Sequence, residues 1–176
     1  MSDIIYNESL IDGKSYQKGD WKKFARHNNK EIKGFFGDYK FLSNFEEEDA
    51  GKFQVQLNGF KYRSVEAAYQ AVKSSDWGWQ SVKYRYENIS ARDAQKNSKK
   101  IIIRKDWDKI KKDVMFCLVF QKFNNSFHYR NKLFDTGIAY LEETNWWGDT
   151  FWGVDIKLGG KNYLGKMLMK IRNILK

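Results

Sequence analysis

The chain has 176 residues, 41% hydrophobic and 17% aromatic, which excludes a disordered polymer and suffices for one domain with its own core. Its 32 Lys and Arg residues outnumber its 22 Asp and Glu residues, and the net charge of +10 would attract nucleic acid or phosphorylated ligands. The single cysteine excludes an internal disulfide, and the absence of a long uncharged apolar run argues against a membrane helix.

The first part of the chain predicts loops and strands. Residues 1–33 are polar and weakly periodic, so we expect an N-terminal extension followed by a domain over residues 34–176. The start has no export or transit pattern, which predicts a cytoplasmic protein. From Gly34 onward, aromatic residues alternate with glycines and small polar residues, and residues 52–64 alternate as a hairpin around Asn58 and Gly59 would.

The rest of the chain predicts helices. Ser64 is a good N-cap for a helix to about Ser75, and Ser90 with Asp93 forms a predicted capping box for a short basic helix. Further helices are expected from Asp106 to about Phe123, from about Ser126 to Gly137, and from about Asn162 onward. In the helix after Asp106 the predicted apolar stripe, with Cys117 at its edge, is Trp107, Ile110, Val114 and Leu118. The expected fold is α+β, a helix-dominated single domain with a small β-sheet or hairpins.

One face of a predicted helix carries side chains that could bind a ligand or act in catalysis. In the helix after Ser64, the i, i+3, i+4 and i+7 positions of one face are Glu66, Tyr69, Gln70 and Lys73. Such a stripe can face a ligand; the alternative is a solvated polar face on which Glu66 merely favours the helix N-terminus. The first-turn position favours the ionised carboxylate, which suits Glu66 to stabilise a developing cation or to activate water.

Residues 145–153 surround one carboxylate, Asp149, with three tryptophans, a phenylalanine and two glycines. Two interpretations stay open. The aromatic residues could form core, or the glycines could expose backbone amides and leave Asp149 a partly desolvated acid beside a stacking surface. A third concentration, residues 35–37 followed by 41–45, could hold a ring and a ribose.

The charge pattern leaves a similar choice. Residues 92–112 carry nine basic and three acidic side chains, compatible with a solvated surface or with a phosphate-facing patch. His27 and His128, the two histidines, have no second ligand at metal spacing, so we expect neither a metal site nor a histidine-based triad.

Five segments occur in a characteristic order: residues 35–37 with 42–45, 64–73, 103–108, 147–149 and 162–165. In this register they resemble the NADAR family, also called YbiA-like N-glycosidases, over about residues 34–176. The resemblance implies a cofactor-free, mostly helical α+β domain that cleaves N-glycosidic bonds between ribose and an amine or base. In different members the substrates are ribosylaminopyrimidine phosphates of riboflavin synthesis, or ADP-ribose attached to guanine.

Carried over residue by residue, the resemblance implies that Glu66 and Asp149 form the acid/base pair and that Trp107 shapes the site. The substrate-binding residues it implies are Phe36, Gly37, Ser43, Asn44, Phe45, Tyr69, Lys73, Arg104, Trp147 and Gly148. An alternative role for Lys73 is attack on an opened ribose aldehyde as a Schiff-base amine. Phe151 and Trp152 are bulky where some relatives carry glycines, a departure that bears on the shape of the substrate.

Two functions from different classes are consistent with these residues. The first is an N-glycosidase, and the positive charge favours ADP-ribosylguanine carried on nucleic acid over a free metabolite as its substrate. The second is a non-catalytic module that binds ADP-ribose or nucleic acid, suggested by the charge of +10 and the interleaved aromatic residues. Loss of turnover in a folded Glu66→Gln variant would support the first, and tight binding without product the second.

Overall fold

The computed structural model describes residues 10–11, 14–15, 25–47, 55–57, 59–75 and 86–176. Internal contacts divide the chain into two compact units. Unit 1 comprises Met1–Ser43, Phe134–Ile174 and Lys176, and unit 2 comprises Asn44–Leu133 and Leu175.

The described residues form short strands and longer helices. The strands are β1 (Leu10–Ile11), β2 (Lys14–Ser15), β3 (Arg26–His27), β4 (Glu31–Lys33), β5 (Val55–Leu57), β6 (Phe60–Tyr62), β7 (Tyr140–Glu142), β8 (Thr144–Asn145) and β9 (Val154–Asp155). The α-helices are α1 (Val65–Lys73), α2 (Ala91–Asn97), α3 (Trp107–Asn124), α4 (Phe127–Asp135) and α5 (Tyr163–Leu175), with 3₁₀ helices at Gly37–Leu42 and Ser98–Lys100. The predicted helix-dominated α+β class is confirmed.

Helix α1 lies at the centre of unit 2. Ser64 caps it as predicted, since its Oγ accepts a hydrogen bond of 3.1 Å from the N–H of Ala67. Every residue from Val65 to Val72 is buried, and α1 packs against α2, α3 and the β5–β6 hairpin. A helix buried on all sides needs partners for its polar side chains, which makes those side chains informative.

Two further local predictions in unit 2 also hold. Strands β5 and β6 pair antiparallel with Leu57 opposite Phe60, and Gly59 has φ of +85°, as the predicted hairpin turn requires; Asn58 lies outside the described residues. Ser90 caps α2, because its Oγ accepts from the N–H of Asp93 at 3.1 Å.

Helix α3 corrects two predictions. Its buried face is Trp107, Met115, Leu118, Val119, Lys122 and Phe123, while Ile110 and Val114 of the predicted stripe are only half-buried. Rotation of about 100° per residue therefore places Cys117 away from Leu118, and the thiol is exposed rather than at the edge of the core. The Lys122 side chain is 1% exposed, and its Nζ lies 5.3 Å from the ring centroid of Tyr129. Because this buried residue is a lysine, the apolar periodicity of the helix is hidden in the sequence.

The start of α3 shows a further correction. Asp106 precedes the helix as predicted but makes no side-chain capping bond. Its carboxylate is instead bound by Arg104, at 2.6 Å from Nε and 2.9 Å from Nη2.

Unit 1 contains the mixed sheet β3–β4–β7, in which β4 pairs antiparallel with β3 and parallel with β7. Strands β8 and β9 form a separate parallel pair. Residues 37–42 form a 3₁₀ helix where loop and strand were predicted, because the N–H groups of Tyr39 and Ser43 each reach a carbonyl three residues earlier.

Helix α5 supplies much of the core of unit 1. Its buried face includes Leu164, Leu168 and Ile171. Gly165 lies so close to β7 that a Cβ there would stand 2.1 Å from the carbonyl oxygen of Leu141. Within the described part of the chain, no helix is both long and apolar enough to cross a membrane.

Candidate active site

The structure places the predicted site residues in two groups. The Glu66 group, in unit 2, contains Asn44, Phe45, Glu66, Tyr69, Lys73, Arg104 and Trp107. The Asp149 group, in unit 1, contains Phe36, Gly37, Ser43, Trp147, Gly148 and Asp149.

Glu66 lies in the first turn of α1 and is only 6% exposed. Its backbone N–H donates to the carbonyl of Asn44 at 3.1 Å, and its Oε1 accepts a 2.8 Å hydrogen bond from Nε2 of Gln70. The solvated-face interpretation is therefore wrong. The carboxylate is therefore buried at a helix N-terminus with an amide donor beside it.

Aromatic rings form the neighbouring wall. The rings of Tyr69 and Trp107 lie 4.8 Å apart, centroid to centroid, and both side chains are buried. Asn44, also buried, donates from Nδ2 to the sulfur of Met115 at 3.3 Å. The Glu66 group thus combines a carboxylate, an amide and two rings, which suits recognition of a polar, ring-containing ligand.

The two cations of this group are joined through the backbone. The N–H of Arg104 donates to the carbonyl of Lys73 at 3.0 Å, which fixes the end of α1 beside the approach to α3. The Arg104 guanidinium is bound to Asp106, and these hydrogen bonds hold the pKa of the Asp106 carboxyl below its usual value. A phosphate at Arg104 would therefore compete with an existing carboxylate.

Asp149 is half-buried, and its carboxylate is already engaged. Its Oδ1 accepts from the backbone N–H groups of Phe151 at 3.0 Å and Trp152 at 2.9 Å. Among the described residues no hydrogen bond reaches Oδ2 of Asp149.

The loop that presents Asp149 is held by Asn145, a role that the sequence analysis did not assign. Asn145 is fully buried, its Oδ1 accepts from the N–H groups of Trp147 (3.3 Å) and Asp149 (3.1 Å), and its Nδ2 donates to the Asp149 carbonyl at 2.8 Å. An Asn followed by a Trp-Trp-Gly run was visible in the sequence, and its spacing is that of an Asx turn.

Asp155 is the second anchor of this loop and was also missed. It is 5% exposed, and it accepts from the N–H groups of Gly148 (2.9 Å), Lys157 (2.9 Å) and Leu158 (3.1 Å). Burial, the largest single influence, acts to raise its pKa, but the three backbone hydrogen bonds together outweigh it and lower the pKa. Gly148, with φ of +82°, adopts the left-handed conformation that this turn requires.

Rings surround the rest of the Asp149 group. Phe36 lies 5.5 Å from Trp146 and 6.5 Å from Trp147, and the two tryptophan rings are 5.2 Å apart, centroid to centroid. Trp146 is buried, whereas Phe36 and Trp147 are half-buried. Trp146 therefore packs as core, whereas the interpretation of Asp149 as an acid beside a stacking surface stays a prediction.

Two further predictions concern charge and histidine. Six lysines of the basic stretch are exposed: Lys96, Lys99, Lys100, Lys105, Lys109 and Lys112. His27 packs in unit 1, where its Nε2 lies 2.9 Å from the Gly34 carbonyl oxygen and its ring lies 4.5 Å from that of Tyr39.

Comparison with known proteins bears on this arrangement. A family model described as "NADAR domain" matches residues 17–176, a match that begins before Gly34, and the division at residues 33/34 stays a prediction. N-glycosidase YbiA of Escherichia coli (strain K12) is 30% identical over 140 residues, which cover 78% of this chain and 82% of that protein. The NMR structure of E. coli YbiA matches with a TM-score of 0.69 and 27% identity, over 86% of this chain and 88% of that chain. The expected YbiA-like fold is confirmed.

Other relatives match over shorter stretches. An N-glycosidase of Nostoc punctiforme is 40% identical over 70 residues, covering 40% of this chain and 44% of that protein. A chloroplastic riboflavin biosynthesis protein of Zea mays, PYRR, is 38% identical over 72 residues, covering 41% of this chain and 11% of that protein. The chain thus spans less than half the length of these two relatives.

Proposed function

Because the chain belongs to the NADAR domain family, we propose that it is an N-glycosidase, a hydrolase that cleaves the bond between ribose and an amine or a base. Two of the relatives described above carry the name N-glycosidase. The observation that carries the proposal is Glu66, a carboxylate 6% exposed in the first turn of α1 and hydrogen-bonded by Gln70.

The reaction makes specific demands on the residues. As the C–N bond breaks, its electron pair goes to the leaving nitrogen, the ribose gains oxocarbenium character, and water adds to the anomeric carbon. We assign Glu66 to stabilise that cation and to accept the proton of the water. Asp149 is assigned to protonate the leaving nitrogen from Oδ2, the oxygen not used to hold the loop. Each is expected to contribute roughly a hundredfold, about 3 kcal/mol.

Trp107 and Tyr69 are assigned to the wall of the site, because their buried rings lie 4.8 Å apart beside the helix that carries Glu66. Trp147, half-buried, is assigned to stack on a base, and Lys73 and Arg104 to meet phosphate. Gly148 and Gly37, with φ of +82° and +55°, and the residues around Ser43 are assigned to backbone contacts with the ligand.

Two substrates fit this reaction, and different observations favour each. The six exposed lysines from Lys96 to Lys112 favour ADP-ribosylguanine carried on nucleic acid, since phosphate contacts dominate such binding. The name of the maize relative, a riboflavin biosynthesis protein, favours a ribosylaminopyrimidine phosphate. We place the nucleic-acid substrate first because the charge is a property of this chain.

The test is product release from both substrates, followed by mass spectrometry. We expect free guanine-containing oligonucleotide and ADP-ribose from ADP-ribosylated DNA, with a rate that falls steeply as salt rises. Turnover of the pyrimidine substrate alone, insensitive to salt, would replace the nucleic-acid substrate by the metabolite. Tight binding of ADP-ribose without any product would overturn the hydrolase and support the non-catalytic module.

The covalent alternative for Lys73 is tested separately. Borohydride reduction of the enzyme during turnover would trap a Schiff base as a stable adduct. Direct attack by water predicts no Lys73 adduct, and an adduct at Lys73 would contradict it.

A further inference from the structure

Gln70, the amide next to Glu66, has an orphaned acceptor. Its side chain is 7% exposed, and its Nε2 is committed to Glu66 at 2.8 Å. Its Oε1 is buried and, among the residues that the structure describes, has no hydrogen-bond partner. The Gln70 amide therefore has its donor hydrogen-bonded but not its acceptor, and it lies in a helix whose neighbouring residues are all buried.

The orientation of this amide is fixed by chemistry. Exchanging its oxygen and nitrogen would set Oε1 against Oε1 of Glu66, two acceptors in place of a donor and an acceptor. The hydrogen bond to Glu66 therefore holds Oε1 pointing away from the carboxylate.

An unpaired buried carbonyl is costly. Such a group loses its hydrogen bonds to water and typically destabilises a protein by about 1–3 kcal/mol. A group left in this state calls for an explanation, and a bound ligand that supplies the missing partner is one such explanation. Since Oε1 can only accept, the missing partner has to be a donor.

Gln70 and Glu66 together present two acceptors on one turn of α1. The Glu66 carboxylate is assigned to the anomeric carbon, and the Gln70 carbonyl lies one helical turn away. This spacing suits a sugar, because its hydroxyls adjoin the reacting carbon.

We propose that Oε1 of Gln70 accepts a hydrogen bond from a ribose hydroxyl of the substrate, which makes Gln70 a binding residue that selects ribosyl over deoxyribosyl compounds. This inference rests on the proposed N-glycosidase function. It extends that function by naming the side chain that reads the sugar.

The experiment compares the activity of a Gln70 variant and a control variant on three substrates. Gln70→Met keeps the length and volume of the side chain but removes the acceptor, and Gln95→Met, at an exposed position of α2, is the matched control. Each protein is assayed for kcat/KM with the ribosyl substrate and with its 2′-deoxy and 3′-deoxy counterparts. The variant also loses the amide donor to Glu66, an effect common to all three substrates, so the comparison between substrates isolates the hydroxyl.

For the wild type and Gln95→Met we expect one deoxy substrate to be poorer than the ribosyl substrate by roughly 5- to 150-fold. In Gln70→Met that ratio should fall to near one. Thermal unfolding checks that Gln70→Met is folded; removing the unsatisfied acceptor favours stability, whereas losing the donor to Glu66 opposes it. An undiminished preference for ribose in folded Gln70→Met would overturn the inference.

Binding separates failure of this inference from failure of the proposed function. If no substrate is hydrolysed, the N-glycosidase proposal fails, and the affinities of ADP-ribose and its deoxy counterparts for the wild type and Gln70→Met still test the hydroxyl contact. Turnover with equal ribose preference in both proteins leaves the proposed function standing and removes Gln70 from sugar recognition.

Discussion

Asp155→Asn tests how the loop that carries Asp149 is held. The carboxylate of Asp155 accepts from three backbone N–H groups, two at Oδ1 and one, from Gly148, at Oδ2. An asparagine offers one acceptor oxygen, so its amide nitrogen would face a backbone donor on one side. Hydrogen bonds to a charged group contribute about 1.5–3 kcal/mol each, so we expect the free energy of unfolding to fall by roughly that amount at neutral pH.

The effect has a defined pH dependence. The folded state lowers the pKa of Asp155 below its ordinary value of 3.8, so the carboxylate stabilises the fold fully above 3.8 and loses this contribution as the pH falls through the folded-state pKa. The difference between the wild type and Asp155→Asn should therefore shrink once the pH drops below 3.8.

Urea denaturation at neutral pH and at a pH below 3.8 measures both quantities. Asp113→Asn is the control, because Asp113 is exposed on α3 and its change should stay within about 0.5 kcal/mol. Equal stability of Asp155→Asn and the wild type at neutral pH, or a difference that does not shrink in acid, would refute the role given to this carboxylate.

Three more substitutions test separate contacts. Ser64→Ala removes the N-cap of the buried helix α1 and should lower the free energy of unfolding by about 1 kcal/mol in urea denaturation; no change would mean that the cap is dispensable. Gly165→Ala drives a Cβ to 2.1 Å from the Leu141 carbonyl oxygen and should cost about 1–3 kcal/mol, visible as a lower Tm; an unchanged Tm would show that α5 can shift. Asp106→Asn should change the free energy of unfolding by no more than about 1 kcal/mol, because the Arg104–Asp106 ion pair is partly exposed to solvent. The substitution frees the Arg104 guanidinium and should tighten the binding of ADP-ribose measured by calorimetry; an unchanged affinity would argue against a phosphate at Arg104.

Local signals in the sequence predicted local structure well. The caps at Ser64 and Ser90 and the hairpin turn at Gly59 depend on residues within a few positions of one another, and each appears as predicted. The parallel pairing of β4 with β7 joins Glu31 to Tyr140. No periodicity in either segment signals a partner so distant in the chain.

Where predictions were wrong, a different contact replaced the one that the local rule favours. The carboxylate of Asp106 could cap α3 but binds Arg104, a stronger, charge-assisted partner. The buried face of α3 includes Lys122, a residue type that hydrophobicity patterns count as polar. The predicted apolar stripe therefore differed from the observed buried face, and Cys117 was wrongly expected at the edge of the core.

In the candidate site, too, local spacing was predicted from the sequence and features that depend on packing were not. The stripe of Glu66, Tyr69 and Gln70 followed from helical spacing, but its burial depends on how α1 packs against α2 and α3. Asn145 and Asp155 act through backbone N–H groups of other residues, so composition alone did not distinguish them from other loop residues.

The central claim is that Glu66 is the carboxylate at the reacting carbon. The most direct measurement compares single-turnover rates of the wild type, Glu66→Gln and Glu47→Gln on the preferred substrate. Glu47 is a matched carboxylate of unit 2 that accepts from the N–H of Ala91 and pairs with Arg63, so its variant controls for loss of a structural charge. The account predicts a folded Glu66→Gln protein slower by about a hundredfold or more and near wild-type turnover for Glu47→Gln; wild-type turnover by folded Glu66→Gln would contradict it.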